Sequence, residues 1–366
     1  MAKPFCSLPW SGVHINQELD VFFCCLMASP ENSLGNLRDQ PLEDILNNDA
    51  AREVRQGFLE GTIPNKCKSA CEFRTGDIIN DLMFHEKETI FRDQQQYHIG
   101  LHAADIRSSN ICTLDCVYCG PIWSSTIAKR DGHIGFIPSA KQQREYQTYI
   151  DTVDLSKCRR LFLAGGEPLL MKEYITLLEN VLKYNPNCSI SVNTGLSVIN
   201  TPVFDLLKQL PNVTWIVSVD TTNPDKFAYI RHGNTWDNFS NNLSIVQSIP
   251  NHTVTAHMVY FTLSYKDFDI SYSTLKLLGI KDIIIDPVSH SALDIRNVPH
   301  IIDQVKQDIE QYKLAGIFSN EVYNSIAGKL SSPHTSQETI HRYLNKMDVK
   351  YDMSSRKIFP ELYTNG

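Results

Sequence analysis

The sequence predicts an α/β fold built on a parallel sheet that curls toward a barrel. Two observations carry the prediction. Six strand-like runs alternate with helical stretches between residues 99 and 287, and every one of those strands ends in polar or glycine-rich positions. Strands separated by helical crossovers pair in parallel, and the right-handed crossover curls the sheet. Six units fall short of the eight that close a barrel, and the functional face is expected at the C-terminal strand ends. A third observation concerns the front of the chain. Eight of its ten cysteines precede residue 120, a clustering that points to metal, and residues 1–91 are rich in cysteine.

Residues 1–91 combine cysteines, turns, short apolar runs such as Val21-Phe22-Phe23, and two helical stretches, 42–59 and 77–91. From residue 98 the texture changes. Strands are expected at 99–107, 160–164, 189–193, 214–220, 253–261 and 281–287, and helices at 141–152, 172–184, 202–209, 235–248 and 266–278. Beyond 299 the pattern is helical: Ile301, Val305, Ile309 and Tyr312 recur near a 3.6-residue period. The tail run Ile358-Phe-Pro-Glu-Leu362 is suited to docking on a neighbouring surface. The expected domains are 1–91, 92–290 and a helical C-terminal extension, 291–366.

Composition narrows the class. The 366 residues are 20% charged and 42% hydrophobic, as in a globular protein. No apolar run approaches the ~18 residues of a membrane span. A net charge of −7 without a Lys/Arg-rich block disfavours a nucleic-acid partner. The opening Met-Ala-Lys-Pro-Phe-Cys6 has no apolar h-region, which points to the cytoplasm and to reduced thiols.

The densest signal is Cys112-Thr-Leu-Asp-Cys116-Val-Tyr-Cys119. Three thiolates on one loop hold three irons of a 4Fe–4S cube and leave the fourth open to another ligand. A structural zinc site needs a fourth ligand, and the next candidates, His133 and Cys158, lie outside the usual spacing. The second strand ends Ala164-Gly-Gly-Glu-Pro168. Its glycines let a ligand approach the backbone, and Glu167 offers an anion to an ammonium group; an ordinary β-to-α turn is the competing reading. The third strand ends Ser191-Val-Asn-Thr194 and the fourth Ser218-Val-Asp220, which offer groups for a ribose or carboxylate or serve as turn formers. Arg231 follows, as a fork for a carboxylate or as a solvated side chain.

In this order the motifs resemble the radical S-adenosylmethionine superfamily across residues 99–290. The resemblance implies a partial (β/α)6, TIM-like barrel, with Cys112, Cys116 and Cys119 holding a 4Fe–4S cluster whose fourth iron binds S-adenosylmethionine. It implies that Gly165, Gly166 and Glu167 meet the methionyl amine, that Asn193 and Ser218 meet ribose or carboxylate, that Arg231 pairs with the carboxylate, and that Tyr118 lies against adenine. It further implies reductive cleavage to a 5′-deoxyadenosyl radical, an external low-potential electron donor, and a substrate of peptide or small-molecule type.

A second resemblance lies in front. Cys6-Ser-Leu-Pro-Trp10, Val21-Phe-Phe-Cys24-Cys25, Gly35-Asn-Leu37 and Cys67-Lys-Ser-Ala-Cys71 are similar to the twitch/SPASM module of radical enzymes. It implies one auxiliary 4Fe–4S cluster on Cys6, Cys24, Cys67 and Cys71, with Cys25 competing for the place of Cys24 and zinc as the other occupant of four cysteines. Relatives usually carry glycine where this chain has Leu19. Cys158 and Cys188 are left over and read as buried thiols. His257, on the fifth strand, and Asp286 and His290, near the end of the sixth, are weaker candidates for contact with a ligand or for proton removal. The rival reading is an iron–sulfur electron carrier or zinc-stabilised scaffold. It needs fully ligated metal, which the three-cysteine loop does not offer.

Overall fold

The computed structural model describes residues 6–67, 100–331 and 337–363; the expected helix at 77–91, the expected boundary at 91 and Cys71 lie outside the described residues. One nine-stranded sheet organises the chain. Its strands are β1 (Gly12–Ile15), β2 (Asp20–Phe22), β3 (Gly35–Asn36), β4 (Ala103–Ile106), β5 (Arg160–Leu163), β6 (Ser189–Thr194), β7 (Val213–Ser218), β8 (Thr253–Tyr260) and β9 (Asp282–Pro287), in the order β3-β2-β1-β4-β5-β6-β7-β8-β9. β4 to β9 are the six expected strands, and each pairs in parallel with the next. They form the open, partial (β/α)6 barrel.

β1 adds in parallel to β4, β2 pairs antiparallel with β1, and β3 antiparallel with β2. Residues 12–36 therefore extend the barrel sheet at its first edge, a continuity that the division at residue 91 did not anticipate. The short runs there gave little alternation to read: β2 has three residues and β3 two.

Alternation in the longer strands separates two faces. Ala104, Ile106, Leu161, Leu163, Ile190, Val192, Val217, Ala256 and Met258 are buried and pack with buried residues of the crossover helices, such as Leu177, Leu178, Phe204, Leu207, Leu243 and Val246, in one core. Asp105, Phe162, Ser191, Asn193, Ile216, Thr255, His257 and Val259 point the other way, into the curl, and keep partial exposure. The expected helices are present as Ala140–Ile150, Glu173–Tyr184, Pro202–Leu207, Trp236–Gln247 and Phe268–Leu277. The stretch 42–59 is instead two helices, Leu42–Asn47 and Asp49–Glu60. Asn48 breaks it: its side chain accepts the Ala51 N–H at 3.0 Å and starts the second helix as an N-cap.

The C-terminal extension is helical, with Ile302–Leu314, Asn320–Leu330 and Gln337–Tyr351 followed by a short turn. Its tail docks as the apolar run suggested. Phe359 and Leu362 are fully buried, and the Phe359 ring meets Tyr229 edge-on at 5.2 Å. Lys226 Nζ, also buried, bridges Asp267 at 3.0 Å and Glu361 at 2.9 Å. Among the described residues no helix is long and apolar enough to cross a membrane.

Leu344 is wholly buried on the last long helix. Leu344→Ala should lower stability by about 2–5 kcal/mol through lost transfer energy and a residual cavity. A denaturant midpoint unchanged from the parent would show that this helix is not part of the cooperative core.

Candidate functional site

The cysteine loop follows β4, and neighbouring strand ends grip its backbone. The turn after β5 comes closest. The Gly166 N–H donates to the Ser109 carbonyl at 3.1 Å, and the Glu167 N–H to the Ile111 carbonyl at 2.7 Å. A Cβ on Gly166 would lie 2.4 Å from the Ile111 oxygen and 2.6 Å from the Asn110 carbonyl carbon; on Gly165, whose φ is +129°, it would lie 2.8 Å from the Ser109 oxygen. Gly195, after β6, leaves room for Leu114, and Gly233, at φ +98°, for the Thr113 carbonyl. Gly165 and Gly166 admit the close approach of the cysteine-loop backbone.

Other elements complete the grip. The Asp115 and Val117 N–H groups donate to His232 and Ile230 carbonyls at 2.8 and 2.9 Å. Thr126 Oγ1 donates to the Cys112 carbonyl at 2.7 Å and Ser124 Oγ to Leu114 at 2.6 Å. The C-terminal helix closes the back: the Tyr351 hydroxyl donates to the Asp115 carbonyl at 2.7 Å, Tyr343 to that of Val117, and Tyr351 stacks on His232 at 3.9 Å. The carbonyls of Ser109, Ile111, Cys112, Leu114, Asp115 and Val117 each have a partner, as a part-buried loop requires.

The three thiols are mutual neighbours. Burial, the carboxylate of Glu167 and the charges of Cys116 and Cys119 push the Cys112 thiol up, while burial pushes Cys119 up to about 12. Cys116 is raised chiefly by burial, with Arg231 acting against it. The thiols therefore keep their protons at neutral pH until metal displaces them. The sulfurs are also prepared as acceptors. The Leu114 N–H donates to Cys112 Sγ at 3.3 Å and Arg231 Nη1 to Cys116 Sγ at 3.9 Å. A donor set of three coupled, sheltered thiols with N–H groups aimed at the sulfurs fits an iron–sulfur cluster. Among the described residues no three His, Cys, Asp or Glu side chains converge on a single-ion site.

Two expected site residues are engaged within the chain. The Glu167 carboxylate, 1% exposed, accepts from Thr194 Oγ1 at 2.7 Å, the Gly195 N–H at 3.0 Å and the Leu169 N–H at 3.3 Å. It ties the β5 turn to the end of β6, and burial raises its pKa to about 7. Arg231, buried beside the loop, donates from Nε to Asp220 Oδ2 at 2.8 Å. With Nε on Asp220 and Nη1 on Cys116, two of its three nitrogens are already engaged. The Tyr118 hydroxyl donates to the same Asp220 oxygen at 2.8 Å.

Asn193 and Ser218 are brought together, with Ser218 Oγ 3.3 Å from Asn193 Oδ1. His257 faces Ser218 across the β7–β8 pair, and its Nε2 lies 2.8 Å from Asp286 Oδ2. Tyr118, Val259, Asp286, Pro287, Val288 and Ser289 line a cavity of about 360 Å³ at the C-terminal ends of β8 and β9. His290 lies against Tyr343, ring centroids 4.8 Å apart.

The second thiol set sits at the start of β4. Cys6 and Cys24 pack against Leu8 and Ala103. Burial pushes Cys24 up to about 12, aided by the charges of Cys25 and Cys67. Cys25 is raised by burial and then by Asp105, which it faces. Cys24, not Cys25, thus turns toward Cys6 and Cys67. Asp105 is held by both Arg107 nitrogens at 3.0 Å, with His14 Nδ1 at 3.1 Å. Leu19 holds φ +65°, the left-handed backbone that glycine adopts without strain. Cys158 and Cys188 are buried side by side before β5 and β6, sharing a thiol hydrogen bond that with burial holds the proton on Cys158.

Both thiol sets fall within stretches that match known family models. The family model of the radical SAM superfamily matches residues 106–275, and that of the SPASM iron–sulfur cluster-binding domain matches residues 6–72. Residues 106–275 carry a radical S-adenosylmethionine domain. The SPASM domain precedes the barrel. The two domains imply S-adenosylmethionine, a 4Fe–4S cluster and an auxiliary iron–sulfur cluster as cofactors.

The chain is 28% identical over 139 residues to a GTP 3',8-cyclase of Peptoclostridium acidaminophilum, covering 38% of this chain and 40% of that one. A GTP 3',8-cyclase of Clostridium botulinum (strain Okra / Type B1) is 28% identical over 123 residues, covering 33% and 36%. The chain thus spans about 40% or less of the length of these relatives. Among solved structures it is similar to Streptococcus suis SuiB bound to S-adenosylmethionine, at 17% identity and TM-score 0.37, covering 58% of this chain and 45% of that one. It is also similar to anSMEcpe with bound AdoMet, at 13% identity and TM-score 0.40, covering 58% and 62%.

Two consequences can be measured. Gly166→Ala drives a Cβ into the Asn110–Ile111 backbone, which cannot yield as a side chain would. Iron bound after reconstitution should fall severalfold, and normal loading would show that the close approach is not needed. Glu167 gives a pH signature. Its folded pKa of about 7 stands above the ordinary 4.5, so its contribution to stability is present below 4.5 and is lost as pH rises to about 7, on the order of 3 kcal/mol in all. Wild type should lose stability relative to Glu167→Gln across that window. A difference that stays constant from pH 4.5 to 7.5 contradicts the assignment.

Proposed function

We propose that Cys112, Cys116 and Cys119 hold the 4Fe–4S cluster that binds S-adenosylmethionine, and that Cys6, Cys24, Cys67 and Cys71 hold one auxiliary 4Fe–4S cluster. Bound there and reduced by a low-potential donor, the cluster and S-adenosylmethionine supply a 5′-deoxyadenosyl radical that takes a hydrogen atom from substrate. The observation that supports this best is the grip of the turns after β5 and β6 and of residues 230–233 on one three-thiol loop, at the barrel end where ligands bind.

The chain's own groups divide the remaining work. The Gly165–Glu167 turn meets the methionyl amine through its main chain. Asn193 and Ser218 take ribose hydroxyls or carboxylate. Arg231 meets the carboxylate through Nη2, and Tyr118 borders the cavity that takes adenine, with Val259 and Val288 on its walls. Tyr343 and Tyr351 keep water from the back of the loop, which lengthens the life of a reactive intermediate. His257 and Asp286 can hold a proton between them on the inner face. The substrate is a peptide or a small molecule, oxidised or cross-linked with the auxiliary cluster as electron acceptor.

Anaerobically reconstituted protein with dithionite and S-adenosylmethionine should release 5′-deoxyadenosine. The Cys112/Cys116/Cys119→Ala variant should release none and retain about four irons, those of one auxiliary cube. Cys24→Ala should lose the auxiliary irons, whereas Cys25→Ala keeps them. Zinc in the auxiliary site, or no 5′-deoxyadenosine from a fully loaded protein, would overturn the proposal.

A further inference from the structure

We infer that Arg231, held in place by Asp220 and Tyr118, is a positioning residue that sets the reduction potential of the cluster through Cys116. The inference rests on the reading of Cys116 as a cluster ligand, and it gives Arg231 a role beyond contact with a ligand carboxylate.

The geometry singles out one thiol. Cys112 receives a main-chain N–H, at 3.3 Å from Leu114. Cys116 receives a charged donor, Arg231 Nη1, at 3.9 Å. The guanidinium has little freedom to turn elsewhere. Its Nε is fixed on Asp220 Oδ2 at 2.8 Å, and its carbon lies 5.1 Å from the centre of the Tyr118 ring. Asp220 is itself immobilised: Tyr118 donates to Oδ2 at 2.8 Å and the Val259 N–H to Oδ1 at 2.9 Å. Asp220 is 0% exposed, and Arg231 and Cys116 are each 8% exposed. Water therefore screens these charges weakly.

One-electron reduction adds negative charge that the thiolate sulfurs share. A fixed cation donating to one sulfur favours the reduced form, and hydrogen bonds to cluster sulfurs act in the same direction. Asp220 opposes it from behind the guanidinium. Its carboxylate is muted by the Tyr118 hydroxyl, so three neighbouring side chains act on the potential with signs that follow from their charges.

The test is a dithionite titration followed by electron paramagnetic resonance, without S-adenosylmethionine, in a Cys24→Ala/Cys67→Ala background that leaves one cluster. Arg231→Gln should move the ratio of reduced to oxidised cluster at fixed potential about tenfold toward oxidised, equal to ~59 mV for one electron. Arg231→Lys, which keeps the charge, should restore most of it. Asp220→Asn should shift the ratio the other way, and Tyr118→Phe should follow Arg231→Gln at smaller size. If Arg231→Gln fails to load iron, the opposite signs of Asp220→Asn and Tyr118→Phe still carry the comparison. Shifts of one sign in all variants, or none, would overturn the inference and reduce the trio to packing. A parent protein with no reducible cluster would instead overturn the ligand assignment.

Discussion

The close approach of the Ser109–Leu114 backbone to Gly165 and Gly166 after β5 and to Gly233 is the constraint on which the site depends. A loop presenting three cysteines has no regular hydrogen bonding of its own, so its carbonyls must find partners elsewhere. Here they find the N–H groups of Gly166 and Glu167, the hydroxyls of Ser124 and Thr126, and tyrosines from the far end of the chain. Several of those contacts need glycine, because a Cβ would occupy the space of a main-chain atom. The parallel sheet places those turns side by side at its C-terminal edge, and thereby turns a flexible cysteine run into a fixed tripod.

The same compression explains the buried charges. Glu167 joins the β5 turn to Thr194 and Gly195, and Asp220 joins Arg231 to Tyr118 and to Val259 on β8. Each carboxylate holds neighbouring strand ends in register around the loop. Burying them is costly unless every oxygen is partnered, and here every oxygen is. The C-terminal extension belongs to this arrangement: Tyr343 and Tyr351 reach the loop directly, and Lys226 anchors the tail through Glu361.

The barrel was legible because its six strands are bounded by turn residues and carry alternating or buried apolar patterns. The cysteine loop was legible because thiol spacing states its chemistry directly. The roles of Gly165, Gly166, Glu167 and Arg231 were read toward a ligand because sequence shows only that a strand end is polar or permissive. Whether a ligand or another loop fills the space depends on tertiary packing. Asp220 was visible as a strand-end carboxylate without its partners. The tyrosines of the last helix gave no signal, since Tyr343 meets Val117 across 226 residues. The different surroundings of Cys24 and Cys25 also needed three dimensions, because Cys24 is extended and Cys25 opens a 3-10 turn.

The central claim is that the gripped loop leaves one iron open for S-adenosylmethionine. Electron–nuclear double resonance on the dithionite-reduced protein, with S-adenosylmethionine labelled at the methionyl nitrogen, tests it most directly. The account predicts a nitrogen hyperfine coupling that is lost in the Cys112/Cys116/Cys119→Ala variant. A fully loaded, reduced cluster without such coupling would contradict it.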